Sequence, residues 1–157
     1  MRRSERAVTD PVEIAGILER ATVAHLAFLE DGRPAIVPMS FGFSREAERF
    51  VFYFHGSGEG RKCACWRRDP RVALEVVGRN EFLLQSPACR STCLYESVMA
   101  EGVIEPVTDP AAKARGLDLI MNHCGAPGPF DYPAAMLERT MVFRLVASEI
   151  SGKSNRI

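Results

Sequence analysis

Six segments of this chain carry the apolar, β-branched and aromatic residues of strands, and helical segments are too few to alternate with them. Residues 22–29 (TVAHLAFL) run into Asp31-Gly32, a two-residue hairpin signal, and residues 34–43 (PAIVPMSFGF) return from it. Residues 49–55 (RFVFYFH) alternate Phe50, Phe52 and Phe54 with Val51, Tyr53 and His55, so both faces are expected to be covered. Strands are also expected over 71–77, over 95–107 with a bend near Gly102, and over 139–150. Six strands with so few helices make the pattern of an antiparallel barrel with helices at its ends, not of βαβ units. The expected architecture is therefore mainly β: a six-stranded antiparallel barrel with two or three flanking helices. With 157 residues the chain has the size of one domain, spanning 1–157, and needs no metal or disulfide to build a core.

The helices are marked by their caps. Asp10-Pro11 opens a helix whose Ile14, Ile17, Leu18 and Ala21 share a face, with Glu13 placed as in a capping box. Thr108-Asp109-Pro110 repeats that chemistry for a helix to about Asn122, with Ala114, Leu117, Ile120 and Met121 on its apolar side. A third helix is expected from Arg61 to Arg68, stopped by Asp69-Pro70. Residues 78–94 and 124–133 read as loops. Pro38 interrupts its strand; without an N–H it marks an edge, a bulge or a backbone that faces something other than a strand.

Twenty basic against twenty acidic residues leave no surplus for neutralising phosphates along a nucleic acid. No apolar run approaches the roughly 20 residues that cross a bilayer, and no apolar stretch follows the charged Met1-Arg2-Arg3-Ser4-Glu5-Arg6, so neither membrane insertion nor export is expected. Five cysteines without a CxxC pair suit a reducing cytoplasm. Cys89, Cys93, His123 and Cys124 are of zinc-binding type, but C-x3-C and adjacent His-Cys fit tetrahedral modules poorly, and idle thiols are the expectation.

The densest chemistry lies in Phe54-His55-Gly56-Ser57-Gly58-Glu59-Gly60-Arg61-Lys62. A strand end, a glycine-rich turn and a helix start bring backbone N–H groups and two cations together, which suits a phosphate. It is neither a Walker loop nor a dinucleotide fingerprint. On spacing alone, a flexible turn before a solvated basic helix start accounts for these residues equally well.

The order Pro38-Met39-Ser40-Phe41-Gly42-Phe43, then Val51-Phe52-Tyr53-Phe54-His55-Gly56, then Gly60-Arg61-Lys62, then Arg68-Asp69-Pro70-Arg71-Val72 resembles the pyridoxamine-phosphate-oxidase-like flavoproteins. Within them it is similar to the nitroimidazole-resistance type, which Tyr95-Glu96-Ser97-Val98, Gly102 and Ile150-Ser151-Gly152-Lys153 also suit. The resemblance implies a split β-barrel homodimer with FMN in two clefts between subunits. It implies that Arg61, Lys62, Ser57 and His55 hold the phosphate. It places the ring system along the second strand, by Val37, Pro38, Met39 and Ser40, with Tyr95, Ser97 and Lys153 as candidates for the partner's contribution.

His55 is the one candidate for proton transfer beside a flavin, against a purely phosphate-binding role. His25 sits in an apolar strand and is expected in the core; Trp66 is expected as a core or interface anchor. The function implied is an FMN-dependent oxidoreductase that takes electrons from a nicotinamide donor and reduces a small organic, in this subfamily nitroaromatic, molecule. The alternative is a flavin or haem carrier or sensor without turnover, with His55 or His25 as a haem ligand.

Overall fold

The Asp31-Gly32 signal closes a two-residue turn, with φ of 49° and 78°, between β2 (Val23–Glu30) and β3 (Arg33–Ser40). Such a turn makes its flanking pair, Glu30 and Arg33, hydrogen-bonded. Alternation then leaves Leu29–Pro34, Ala27–Ile36, His25–Pro38 and Val23–Ser40 as the non-hydrogen-bonded pairs. Both prolines of β3 thus stand where the missing N–H would have pointed away from β2 (the register reason the strand tolerates them).

The computed structural model describes residues 3–126 and 128–155; Met1 and Arg2 of the charged N-terminal stretch and Pro127 of the 124–133 loop lie outside the described residues, as do residues 156–157. The other strands are β1 (Ala7–Val8), β4 (Gly42–Glu46), β5 (Arg49–Gly56), β6 (Arg71–Leu83), β7 (Thr92–Val107) and β8 (Met141–Asn155). The helices are α1 (Pro11–Glu19), α2 (Arg61–Arg68), α3 (Pro110–His123) and α4 (Ala134–Arg139). All pairings are antiparallel, in the order β3-β2-β6-β7-β8-β5-β4, with β1 added on β8. β3 and β4 end the sheet on opposite sides, yet the fully buried Phe41 is all the chain between them. The sheet must therefore curl until its ends meet without pairing, which is a split barrel.

One face of the strands lines the interior. Leu26, Leu74, Val76, Val98, Leu145, Phe52 and Phe54 come from five strands and are buried to 2% exposure or less. Trp66 of α2 joins them, edge-on to Phe28 and Phe143. A second cluster forms where α3 covers the outside of β5 and β8, through Leu117 and Ile120 over Val51, Tyr53 and Val142. Contact there is close: a Cβ on Gly42 would lie 2.4 Å from the Leu119 carbonyl carbon.

The single strand expected over 34–43 is two, because the chain changes ends of the sheet at Phe41. The loop expected over 78–94 is mostly strand: β6 continues to Leu83 past a bulge at Val77/Arg79, and β7 starts at Thr92. The last strand runs to Asn155, and α4 lies in a segment not expected to be helical. The count is therefore eight strands where six were expected, in the same mainly antiparallel barrel. Asp10 and Asp109 cap their helices as expected, accepting from Val12 N–H at 2.9 Å and Ala112 N–H at 2.7 Å. No helix among the described residues is long and apolar enough to cross a membrane.

Candidate functional site

The glycine turn holds its shape through its own groups. Ser57 Oγ accepts the Glu59 N–H at 3.1 Å, the Cys63 thiol donates to the Ser57 carbonyl at 3.2 Å, and Arg67 donates to the Gly58 carbonyl at 2.6 Å. Gly58 has no room for a side chain, since its Cβ would stand 2.7 Å from Met141 Cγ. Gly60 caps α2 with φ 99° and no side-chain bond. The first amide to bond back is that of Ala64, to the Gly60 carbonyl, so the N–H groups of residues 61–63 face outward from the helix start.

The cations of α2 divide by partner. Arg61 Nε lies 3.4 Å from Glu30, Arg68 is 2.5 Å from Asp31, and Arg67 is held by Gly58. Lys62 bonds none of the described residues. Its Nζ lies 3.5 Å from where a Gly56 Cβ would be, and Met39 Cε lies 3.9 Å from the same point. The end of β5, the start of α2 and the inward side of β3 therefore meet around Gly56, with an uncommitted ammonium among them. The expectation for Lys62 suits this geometry, whereas Arg61 is turned toward the hairpin.

β3 bounds the same region with its unpaired edge. The register directs the N–H and C=O of Val37 and Met39 to β2, so these are not the groups a ligand would meet. The free edge offers the carbonyls of Pro34 and Pro38 and both backbone groups of Ile36 and Ser40. Val37 and Met39 turn their side chains to the interior, and Pro38 and Ser40 face out. Ile36 is the member that sequence reasoning missed; the hairpin signal fixes the alternation that would have found it.

His55 lies on the face of β5 that carries Val51 and Tyr53, opposite to Gly56, and is exposed without a hydrogen-bond partner among the described residues. It is therefore not directed at the place where Lys62 and Met39 meet. His25 is not in the core as expected: its side chain is 47% exposed on the outer face of β2, with Nδ1 3.1 Å from Glu75.

Tyr95, Ser97 and Lys153 gather elsewhere. Ser97 pairs with Lys153, and the Lys153 ammonium and the Arg6 guanidinium lie 5.6 and 5.9 Å from the centre of the Tyr95 ring. Arg6 donates to the Tyr95 hydroxyl at 3.2 Å, and this bond, with Lys153 nearby, holds the phenol below its ordinary pKa. Gly56 pairs with Met141, at the other end of β8 from Lys153. At ~3.3 Å per residue the two groups are roughly 40 Å apart along that strand, so one chain cannot bring both to a single ligand. Cys89, Cys93, His123 and Cys124 form no metal-holding group among the described residues, and all five cysteines are free thiols.

The sequence profile of the pyridoxamine 5'-phosphate oxidase family matches residues 10–154. The chain belongs to that family. Structures within this flavin-binding split-barrel group align with it closely. A candidate 5-nitroimidazole antibiotic resistance protein from Bacteroides thetaiotaomicron is 25% identical, with a TM-score of 0.83 over 94% of this chain and 86% of that one. The flavocytochrome Anf3 from Azotobacter vinelandii is 27% identical, with a TM-score of 0.81 over 100% of this chain and 72% of its own. An FAD- and haem-binding protein from Mycobacterium smegmatis, 20% identical, shares the fold with a TM-score of 0.82 over 97% and 74% of the two chains. No curated protein sequence matches this family member.

Proposed function

We propose that this chain is a single-domain cytoplasmic flavoprotein that binds FMN between the free edge of β3 and the start of α2, and works as a dimeric oxidoreductase. The observation that carries the reading is Lys62: an ammonium without a partner among the described residues, beside Gly56, at a helix start whose first amides are free of helical partners. The phosphate takes Lys62 and the amides of residues 61–63, with the Ser57 hydroxyl at the rim. The polar edge of the ring system takes the backbone groups of Ile36, Pro38 and Ser40. His55 leaves β5 on the opposite face from Gly56, away from Lys62 and Met39, and takes no part in holding that phosphate or in proton transfer there.

A second copy supports this reading in two ways. Val23, Leu29, Ile36, Val77, Met99 and Val103 are exposed on the outer face of one continuous sheet, an apolar surface of the kind a second copy covers. Tyr95, Ser97 and Lys153 lie on that same outer side, and a two-fold partner presents them to the other copy's cofactor. Bound flavin supplies electron transfer, taken from a nicotinamide donor and passed to a small organic substrate of the nitroaromatic kind; the protein supplies orientation and electrostatics.

The test is an absorbance spectrum of purified protein before and after FMN addition and desalting. Retained, perturbed flavin bands support the reading. A folded dimer that holds no flavin at micromolar FMN refutes it. Alignment over the whole chain with a flavocytochrome favours one second reading, an electron carrier that binds haem through His25 or His55; a Soret band after haem addition supports that instead.

A further inference from the structure

A second cleft, of about 390 Å3, opens on the outer face of β2, β6 and β7. Its walls are Ala27, Ile36, Ala73 and Met99, and its polar groups are His25 and Glu75, with Glu101 beside them. The volume falls within the range of small-molecule sites, and an apolar lining with few convergent polar groups is their usual composition. Register explains how the cleft is assembled. Pro38, His25, Glu75 and Met99 stand in one row across four strands. His25 and Pro38 form a non-hydrogen-bonded pair, the closer kind, so the imidazole lies one strand from the free edge of β3.

The polar groups agree in sign. Nδ1 of His25 lies 3.1 Å from Glu75, and when it donates there the neutral ring presents a lone pair at Nε2, which has no partner among the described residues. Glu75 and Glu101 are carboxylates, and among the described residues no lysine or arginine lines the cleft. In that tautomer every side-chain polar group lining the cleft accepts.

We infer that this cleft binds a small flat molecule with an apolar body and N–H or O–H donors, neutral or cationic, and rejects anions such as phosphate esters. Its role as the substrate's place rests on the flavin reading above; the binding itself does not. In a dimer closed over this face, the cleft becomes a chamber between the copies.

Benzamidine, benzamide and benzoate are close to isosteric and differ in charge and donors, so they serve as probes. Their binding is measured by calorimetry and ligand-observed NMR, on purified protein with and without FMN. Benzamidine and benzamide are expected to bind, and benzoate at least roughly tenfold more weakly, since it replaces donors with a third carboxylate among acceptors. Glu75→Gln is expected to weaken benzamidine roughly tenfold, the effect of one charge-assisted bond. Ala73→Phe is expected to abolish binding by filling the cleft, with circular dichroism and dimer mass unchanged. Benzoate binding as tightly as benzamidine overturns the inference. So do unchanged affinities in both variants, or a dimer that binds no probe because the second copy fills the cleft. If FMN is not retained while benzamidine still binds and responds to Glu75→Gln, the flavin reading fails and the cleft stands.

Discussion

Lys62 and Arg61 are adjacent cations at one helix start, and their partners predict unequal effects on FMN affinity. Arg61 is 65% exposed and lies 3.4 Å from Glu30, whereas Lys62 is partly buried and meets no acidic group. A charge-assisted bond from Lys62 to phosphate is worth about 1.5–3 kcal/mol, so Lys62→Ala should raise the FMN dissociation constant roughly ten- to hundredfold. Arg61→Ala removes an exposed pair worth about 0.2–1 kcal/mol and a distant charge, so its effect should stay below roughly fivefold. Glu30→Gln releases Arg61 and should leave affinity unchanged or improve it. Quenching of FMN fluorescence on titration with protein measures all three, and added salt should weaken wild type more than Lys62→Ala, since only wild type keeps the ion contact. Arg61→Ala weakening FMN more than Lys62→Ala would refute the assignment of the phosphate to Lys62.

Two further outcomes concern the frame. Gly102→Ala places a Cβ 2.3 Å from the Val146 carbonyl oxygen and 2.9 Å from Leu145 Cδ1, where β8 bulges at Ser148 against β7. It should lower stability by about 1–3 kcal/mol or more in urea unfolding, and an unchanged midpoint would contradict the packing described. Burial, with the Asp118 carboxylate nearby, pushes the Tyr132 phenol from 10.0 up to about 12. The fold keeps that proton longer than the unfolded chain does, so stability present below pH 10 is lost as pH rises toward 12; Tyr132→Phe should flatten this fall in alkaline unfolding curves.

Local signals were legible, and signals that depend on distant partners were not. Asp10-Pro11, Asp109-Pro110 and Asp31-Gly32 carry their own geometry, so the helix starts and the first hairpin could be located from a few residues each. The arm of β6 and β7 beyond Val77 includes Arg79, Asn80 and Glu81, whose side chains face solvent, and polar residues on such a ribbon show no inward alternation. α4 begins at Ala134, after Pro133 at the N-cap and with no side-chain cap, so nothing announced it. His25 was misplaced because its neighbours Ala24 and Leu26 are buried; strand alternation sends it to the opposite face, where a cross-strand Glu75 holds it. At the candidate site, the glycine turn and Lys62 could be read from the chain. The engagement of Arg61 by Glu30 could not, since it joins residues 31 positions apart.

The prolines of β3 also bear on the chain before any ligand reaches it. A strand with an open edge is a template for a neighbour's strand, and a newly made chain would expose this one in a crowded cell. Of the four outward positions on that edge, Pro34 and Pro38 have no N–H, so an incoming strand finds only two donors, at Ile36 and Ser40. The edge can still receive a small acceptor placed at the right point, but it cannot continue a ladder. Replacing both prolines would therefore remove a safeguard against fibre growth as well as reshape the strand.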